Sequence, residues 1–159
     1  MKKLVFVDES GNPGIKNEQG EFIIAAVVVL DEGTYLKIDS FMDGYKKALG
    51  WSDDAEFKFS KTKKQIIIDF LSQITKYNFE VYAVVFNKKS KIDKDKMSLY
   101  NQILAKLLLE IGIDDANIVI DGNVGRNYRN KTRAYIRNIS RKGFKKFGYG
   151  NSKSFNCKL

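Results

Sequence analysis

Two apolar runs in this chain end in acidic residues. Leu4-Val5-Phe6-Val7 leads into Asp8-Glu9-Ser10, and Asn117-Ile118-Val119-Ile120 leads into Asp121-Gly122. A strand fixes its last side chains more tightly than a free loop does, so carboxylates at its tip can bind a hard cation or poise a proton. Acidic residues also start turns, and only the recurrence of the arrangement on a second strand lifts the first above that plainer reading.

Between the two runs the pattern alternates strands and helices. Lys3 to Glu9 reads as a strand and Glu21 to Leu30 as a second, separated by a connection long enough for an antiparallel hairpin. Asp31 to Leu49 carries an imperfect apolar stripe, and Trp51 to Phe59 is irregular, with Phe57 and Phe59 suggesting one buried edge. A helix using Ile66, Ile67, Phe70, Leu71 and Ile74 follows, with Ser60 or Thr62 as its expected cap. Asn78 to Phe86 alternates Phe79, Val81, Ala83 and Val85 and reads as a strand. A basic loop with Lys88, Lys89 and Lys91 precedes an amphipathic helix from Lys94 to about Ile111, whose stripe includes Tyr100. Asn117 to Ile120 is a short strand of the buried type. Helices between strands imply crossovers and a mixed sheet flanked by helices, hence an α/β fold. If the first and last of these strands are parallel neighbours, Asp8 and Asp121 emerge at the same carboxyl edge, within reach of one ion.

The length of 159 residues suits one domain, 1–159, and its 43% hydrophobic and 13% aromatic content fits a packed core. Asp8 and Glu9 interrupt the N-terminal apolar stretch too early for a signal peptide, and Phe22 to Leu30 is too short to span a bilayer. No membrane association and a cytoplasmic setting are therefore expected. With no histidine, the Ser-His and Cys-His nucleophile systems are excluded, and Cys157 alone cannot form an internal disulfide or a cysteine-rich zinc site. Catalysis would have to rest on carboxylates, lysines, hydroxyls or a metal.

The net charge of +9 is unevenly distributed. Gly122 to Leu159 holds eleven basic residues and no acidic one, so this quarter is +11 and the remainder −2. A solubilising tail is the plain explanation, and attraction of a polyanion such as nucleic acid is the functional one. Spacing favours the second. Arg129, Arg133, Arg137 and Arg141 recur every four residues and form one stripe on a helix, with Tyr128, Thr132, Tyr135 and Ile139 on another face. Like charges at that spacing destabilise an isolated helix, so the stripe calls for phosphates or for acidic residues elsewhere in the fold. The basic helix and tail start at about residue 126.

Glu56, just before a helix, is a third carboxylate able to swing into the crevice of Asp8 and Asp121, although a glutamate near Lys58 is more often an ordinary ion-pair partner. Magnesium or manganese prefers such oxygen ligands, and two ions would activate water and stabilise the leaving oxygen in phosphodiester cleavage. Ser10 lacks a base and reads as a turn hydroxyl. Gly11-Asn12-Pro13-Gly14 lacks the lysine and following helix of a phosphate-binding loop, and Trp51 and most tyrosines suit a core better than a base-stacking platform.

Val7-Asp8-Glu9-Ser10-Gly11, then Glu56-Phe57-Lys58, then Val119-Ile120-Asp121 with an arginine-rich helix behind it, together resemble the domain-of-unknown-function family 3800 along nearly the whole chain. The resemblance implies a ribonuclease H-like mixed sheet flanked by helices. It also implies a metal-dependent, nuclease-like site with Asp8, Glu56 and Asp121 as ligands and Glu9 as a fourth. Members of that family continue into a further helix with an alanine-aspartate-leucine type motif, whereas here no side-chain carboxylate follows Asp121. The expected site is thus one acidic ligand short at its C-terminal side.

Three functions remain open. A magnesium- or manganese-dependent nuclease would use Asp8, Glu56 and Asp121 for catalysis, with Asp8, Glu9 and Asp121 on the metal. Arg126, Arg129, Arg133, Arg137 and Arg141 would face nucleic acid. A non-catalytic nucleic-acid-binding protein would keep the fold with an incomplete metal site. A protein-interaction module would dock its basic helix on an acidic partner.

Overall fold

The computed structural model describes residues 3–11, 20–52, 55, 57–87, 96–113, 116–121, 126–139 and 146–150. Strands β1 (Leu4–Ser10) and β2 (Glu21–Val29) are followed by helices α1 (Glu32–Ala48) and α2 (Lys64–Ile74), strand β3 (Phe79–Asn87) and helix α3 (Lys96–Ile111). Strand β4 (Asn117–Asp121), helix α4 (Arg126–Ile139) and strand β5 (Lys146–Gly150) complete the order. The five strands form one sheet in the order β3-β2-β1-β4-β5. β1 pairs antiparallel with β2, as the expected hairpin, and parallel with β4, while β5 adds to β4 in parallel.

Alternation along the strands builds the core on one face. Val5 and Val7 of β1, Phe22, Ile24, Ala26 and Val28 of β2, and Ile118 and Ile120 of β4 are buried there beneath α3. Leu104, Leu107 and Leu108 of α3 and Ile136 of α4 close the layer. A large aliphatic side chain of this kind contributes roughly 1.5–3 kcal/mol when fully buried. Lys3 Nζ donates to the carbonyls of Ile111 and Gly112 at 3.3 and 3.4 Å, tying the start of β1 to the C-terminal end of α3.

The opposite face meets α1 and α2. Phe6 stacks on Tyr35 with ring centroids 5.6 Å apart. Phe41, Tyr45, Trp51 and Phe57 surround Phe70 or one another in an aromatic cluster, and Phe59, though 52% exposed, packs edge-on against Phe57 with ring centroids 5.6 Å apart. The Tyr45 hydroxyl donates to Asp69 Oδ2 at 2.8 Å and joins α1 to α2. An apolar cavity of about 400 Å³ remains between this layer and the sheet, lined by Phe6, Val27, Met42, Phe70 and Val81 among others.

Helix α1 starts where the sequence places it. Asp31 Oδ1 accepts from Thr34 N at 2.8 Å, an N-cap that satisfies one of the helix's free donors and holds the Asp31 carboxyl below its ordinary range. The expected cap of α2 does not form. Lys63 occupies that position without a side-chain bond, and the Thr62 hydroxyl turns back to the Lys58 carbonyl at 2.7 Å. In β3 the residues turned to the α3 core are Tyr82, Val84 and Phe86, while Val81 and Val85 on the other face are 63% and 56% exposed at the sheet edge. Strand β5 lies within the stretch read as a basic tail. Lysines and glycines dilute its alternating Phe147 and Tyr149 below a recognisable strand pattern.

Among the described side chains of α4, Thr132 and Ile136 are buried and Tyr135 is half-buried; Ile136 was not among the residues expected on that face, and the side chains of Tyr128 and Ile139 lie outside the description. The Thr132 hydroxyl donates to Asn101 Oδ1 of α3 at 3.1 Å, within the core. Removing one member of such a pair strands a buried polar group, so Thr132→Val is expected to lower stability by about 1–3 kcal/mol in urea denaturation. An unchanged midpoint would show that this bond does not anchor α4.

Candidate functional site

The site is built from the register of two strands. Val7 of β1 stands opposite Ile120 of β4 in the parallel ladder, and the next residue along each strand is Asp8 and Asp121. Neighbouring strands run about 4.8 Å apart, so the two carboxylates are carried side by side at the carboxyl edge of the sheet. Val7 and Ile120 point into the core, so strand alternation sends Asp8 and Asp121 together to the other side. Asp8 is exposed and Asp121 half-buried. Asp8 Oδ1 accepts from the Glu9 backbone N–H at 2.8 Å, which orients the carboxylate at the strand tip.

Glu9 follows the parity of Val5 and Val7 and turns toward α3. There its Oε2 accepts from the Tyr100 hydroxyl at 3.4 Å. Tyr100 is buried, and its ring lies 6.2 Å from that of Phe22. The Glu9 carboxyl is raised above its ordinary range, first by partial burial and then by the negative charge of Asp8, with Asp121 adding to the effect and the Tyr100 hydroxyl opposing it. The strand tip therefore concentrates negative charge, a condition that a divalent cation relieves.

Gly11 ends the strand with φ +91°, and a Cβ there would stand 2.6 Å from the Glu21 carbonyl oxygen. Only glycine lets the chain turn away this close to β2.

Among the described residues, no group of three or more acidic, histidine or cysteine side chains forms a cluster able to hold a metal ion. The arrangement is the pair Asp8 and Asp121, with Glu9 drawn to the opposite side by Tyr100. Glu56 lies outside the described residues, although Phe57 next to it packs on Phe70 at 4.5 Å. Arg129, Arg133 and Arg137 are exposed on α4, as the stripe requires. Arg126 opens that helix but its side chain is outside the description, as are Arg141 and the basic segment with Lys88, Lys89 and Lys91. Tyr100 was legible only as one more member of an apolar stripe; its hydroxyl is what distinguishes it.

The architecture matches solved structures. Ribonuclease H2 from Pyrococcus horikoshii OT3 superposes with a TM-score of 0.64 at 13% identity, covering 98% of this chain and 65% of that one. This chain has a ribonuclease H-like fold. The ribonuclease HII of Archaeoglobus fulgidus, solved in complex with PCNA, gives a TM-score of 0.55 at 12% identity over 93% of this chain and 62% of that one. The chain thus spans just under two thirds of the length of these structures. Comparison with protein-family models and with curated proteins returns no match, so the resemblance to family 3800 rests on its motifs. No helix among the described residues is long and apolar enough to cross a membrane.

Two outcomes test this geometry. Gly11→Ala and Gly20→Ala both place a side chain at positive φ, a strain of roughly 1–3 kcal/mol each. Gly20 has open space around it and Gly11 does not, so Gly11→Ala is expected to lower the melting temperature more; equal losses would deny the close approach to Glu21. Glu9 supplies the second. Because its folded pKa is raised, the folded state binds the proton more readily than the unfolded chain, and ionised Glu9 destabilises the fold above that pKa. Glu9→Gln should raise the melting temperature at pH 7, with the gain shrinking as pH falls toward the ordinary value of 4.5. A gain that persists below pH 4 would contradict the assignment.

Proposed function

We propose that this chain is a metal-dependent, nuclease-like protein acting on nucleic-acid phosphodiesters, with its site at the tips of β1 and β4. The observation that carries the reading is the parallel register that sets Asp8 beside Asp121. Its fold neighbours are proteins described as ribonuclease H2 and ribonuclease HII, which supports the same direction.

The donor set suits a hard cation: carboxylate oxygens, no histidine in the chain, and a local excess of negative charge felt by Glu9. Asp8 and Asp121 would hold magnesium or manganese, with Glu56 as an additional ligand or water-orienting base; Glu9, expected from the sequence as a further ligand, turns to the α3 side instead and would contribute through its charge. A bound ion of this type supplies Lewis-acid stabilisation of a phosphoryl oxygen and a more acidic water. The chain's own contribution is to fix those oxygens on a rigid sheet edge. The Asp8 carboxylate is held by the Glu9 N–H, and the exposed arginines Arg129, Arg133 and Arg137 of α4 would neutralise backbone phosphates along one face. Arg126 and Arg141 extend that series in sequence.

A second reading has its own observation. Among the described residues only a pair of aspartates, not a cluster of three ligands, stands ready at the tip. Such a pair would suit a protein that binds nucleic acid without turnover.

The two readings separate in one assay. The nuclease predicts cleavage of DNA or RNA that requires magnesium or manganese and falls roughly 100-fold or more in Asp8→Asn. Undiminished cleavage in that variant would refute the site. Both readings predict salt-sensitive binding, with Arg133→Ala lowering affinity across sequences and reducing the slope of log affinity against log salt by about 1. An unchanged slope would remove Arg133 from the interface.

A further inference from the structure

We infer that the outer edge of β3 is a homodimer interface, on which a second copy of this chain adds its own β3 antiparallel to form one continuous sheet. The inference does not depend on the cation site. Among the described strands, β3 closes one end of the sheet, with β2 on one side and no strand on the other. It pairs with β2 without a break, from Glu21 opposite Asn87 to Val29 opposite Phe79, so its far side carries a regular row of backbone donors and acceptors. Edge strands are normally guarded by a proline, a bulge, charged side chains or brevity. β3 has no proline and no bulge, Glu80 is its one charged residue, and its 9 residues span about 30 Å. The other end of the sheet is the shorter β5, which opens on Lys146.

Two features fit this strand to itself. A two-fold axis beside Ala83 sets Val81 of each copy opposite Val85 of the other, and both valines are exposed on one face of the edge. The same register sets Tyr82 opposite Val84, which both turn to the α3 core, so each face keeps its character across the junction. Charge is complementary as well. Glu80 stands near the start of β3, where its Oε2 accepts from the Tyr82 hydroxyl at 2.9 Å, and Lys88 and Lys89 follow the strand in sequence. Antiparallel pairing brings the acidic start of one strand to the basic exit of the other, twice per dimer, whereas parallel pairing would set like charges together. Exposed apolar surface also continues from Val81 to Val27, its partner in the β2 ladder, and to Leu71 of α2, so it is broader than the strand itself.

The test is the molar mass of the intact chain, free of nucleic acid, by sedimentation equilibrium over a range of concentrations. The variants are Val81→Lys/Val85→Lys, Val81→Glu/Val85→Glu and Val81→Lys/Val85→Glu. Both positions are exposed, and circular dichroism with thermal melting verifies the fold. The unaltered chain is expected to show a monomer-dimer equilibrium. The first two variants place like charges across each pair and are expected to raise the dissociation constant about tenfold or more, although they change the net charge in opposite directions. Val81→Lys/Val85→Glu places opposite charges across each pair and is expected to dimerise more tightly than either. An unaltered chain that stays monomeric throughout overturns the inference and leaves the edge to another occupant. A dimer indifferent to the first two variants overturns it too, because it then forms through another surface. Val81→Lys/Val85→Glu as weak as the like-charged variants overturns the register about Ala83, and masses above the dimer overturn a two-fold pairing that uses up the edge.

Discussion

The parallel pairing of β1 with β4 is the constraint on which the rest depends. It aligns Val7 with Ile120, which fixes both the core and the site: one residue earlier in the alternation points inward to α3, and the next carries a carboxylate outward. A one-residue slip would exchange these faces, placing aspartates in the core and valines in water. The site is therefore specified by the same burial that stabilises the sheet. β1 can hold this register because it is central, with β2 on one side and β4 on the other. The Lys3 bonds to the end of α3 anchor its start, and Gly11 releases the chain at its end.

Opposing electrostatic demands meet at the strand tip. Asp8, Glu9 and Asp121 gather negative charge in a protein that is otherwise positive, and partial burial worsens the situation for Glu9. A fold tolerates such an arrangement at a modest loss of stability when the charge serves a ligand. The arginines of α4 form the complementary half. Ile136 and the buried Thr132–Asn101 bond attach that helix to the core, and Arg129, Arg133 and Arg137 are exposed. The proposed cation site and the basic helix thus follow one another directly in the chain, Asp121 ending β4 and Arg126 opening α4.

Much of the frame was legible because periodic burial writes itself into sequence. The hairpin of β1 and β2, the Asp31 start of α1, the α3 stripe and the convergence of the Asp8 and Asp121 strands all follow from alternation, capping and crossover logic. What was not legible depends on partners far away in sequence. β5 forms because β4 offers it an edge, and no local pattern in Lys146–Gly150 announces that. The faces of β3 are both apolar, so only the position of α3 decides that Tyr82, Val84 and Phe86 turn toward the core. Tyr100 and the Asn101–Thr132 pair are polar groups inside apolar stripes, whose meaning appears only when the opposite element is in place. Glu56 and Arg141 fall outside the described residues and stay as the sequence placed them.

On the proposed reading, the adjacent parallel strands β1 and β4 create a cation site from Asp8 and Asp121. A crystal of the protein soaked in manganese and measured at a wavelength with strong manganese anomalous scattering tests it without knowledge of the substrate. The account predicts an anomalous peak within coordination distance of both carboxylates, lost in crystals of the Asp8→Asn variant. Manganese bound elsewhere, or no peak between these two residues at a saturating concentration, would contradict it.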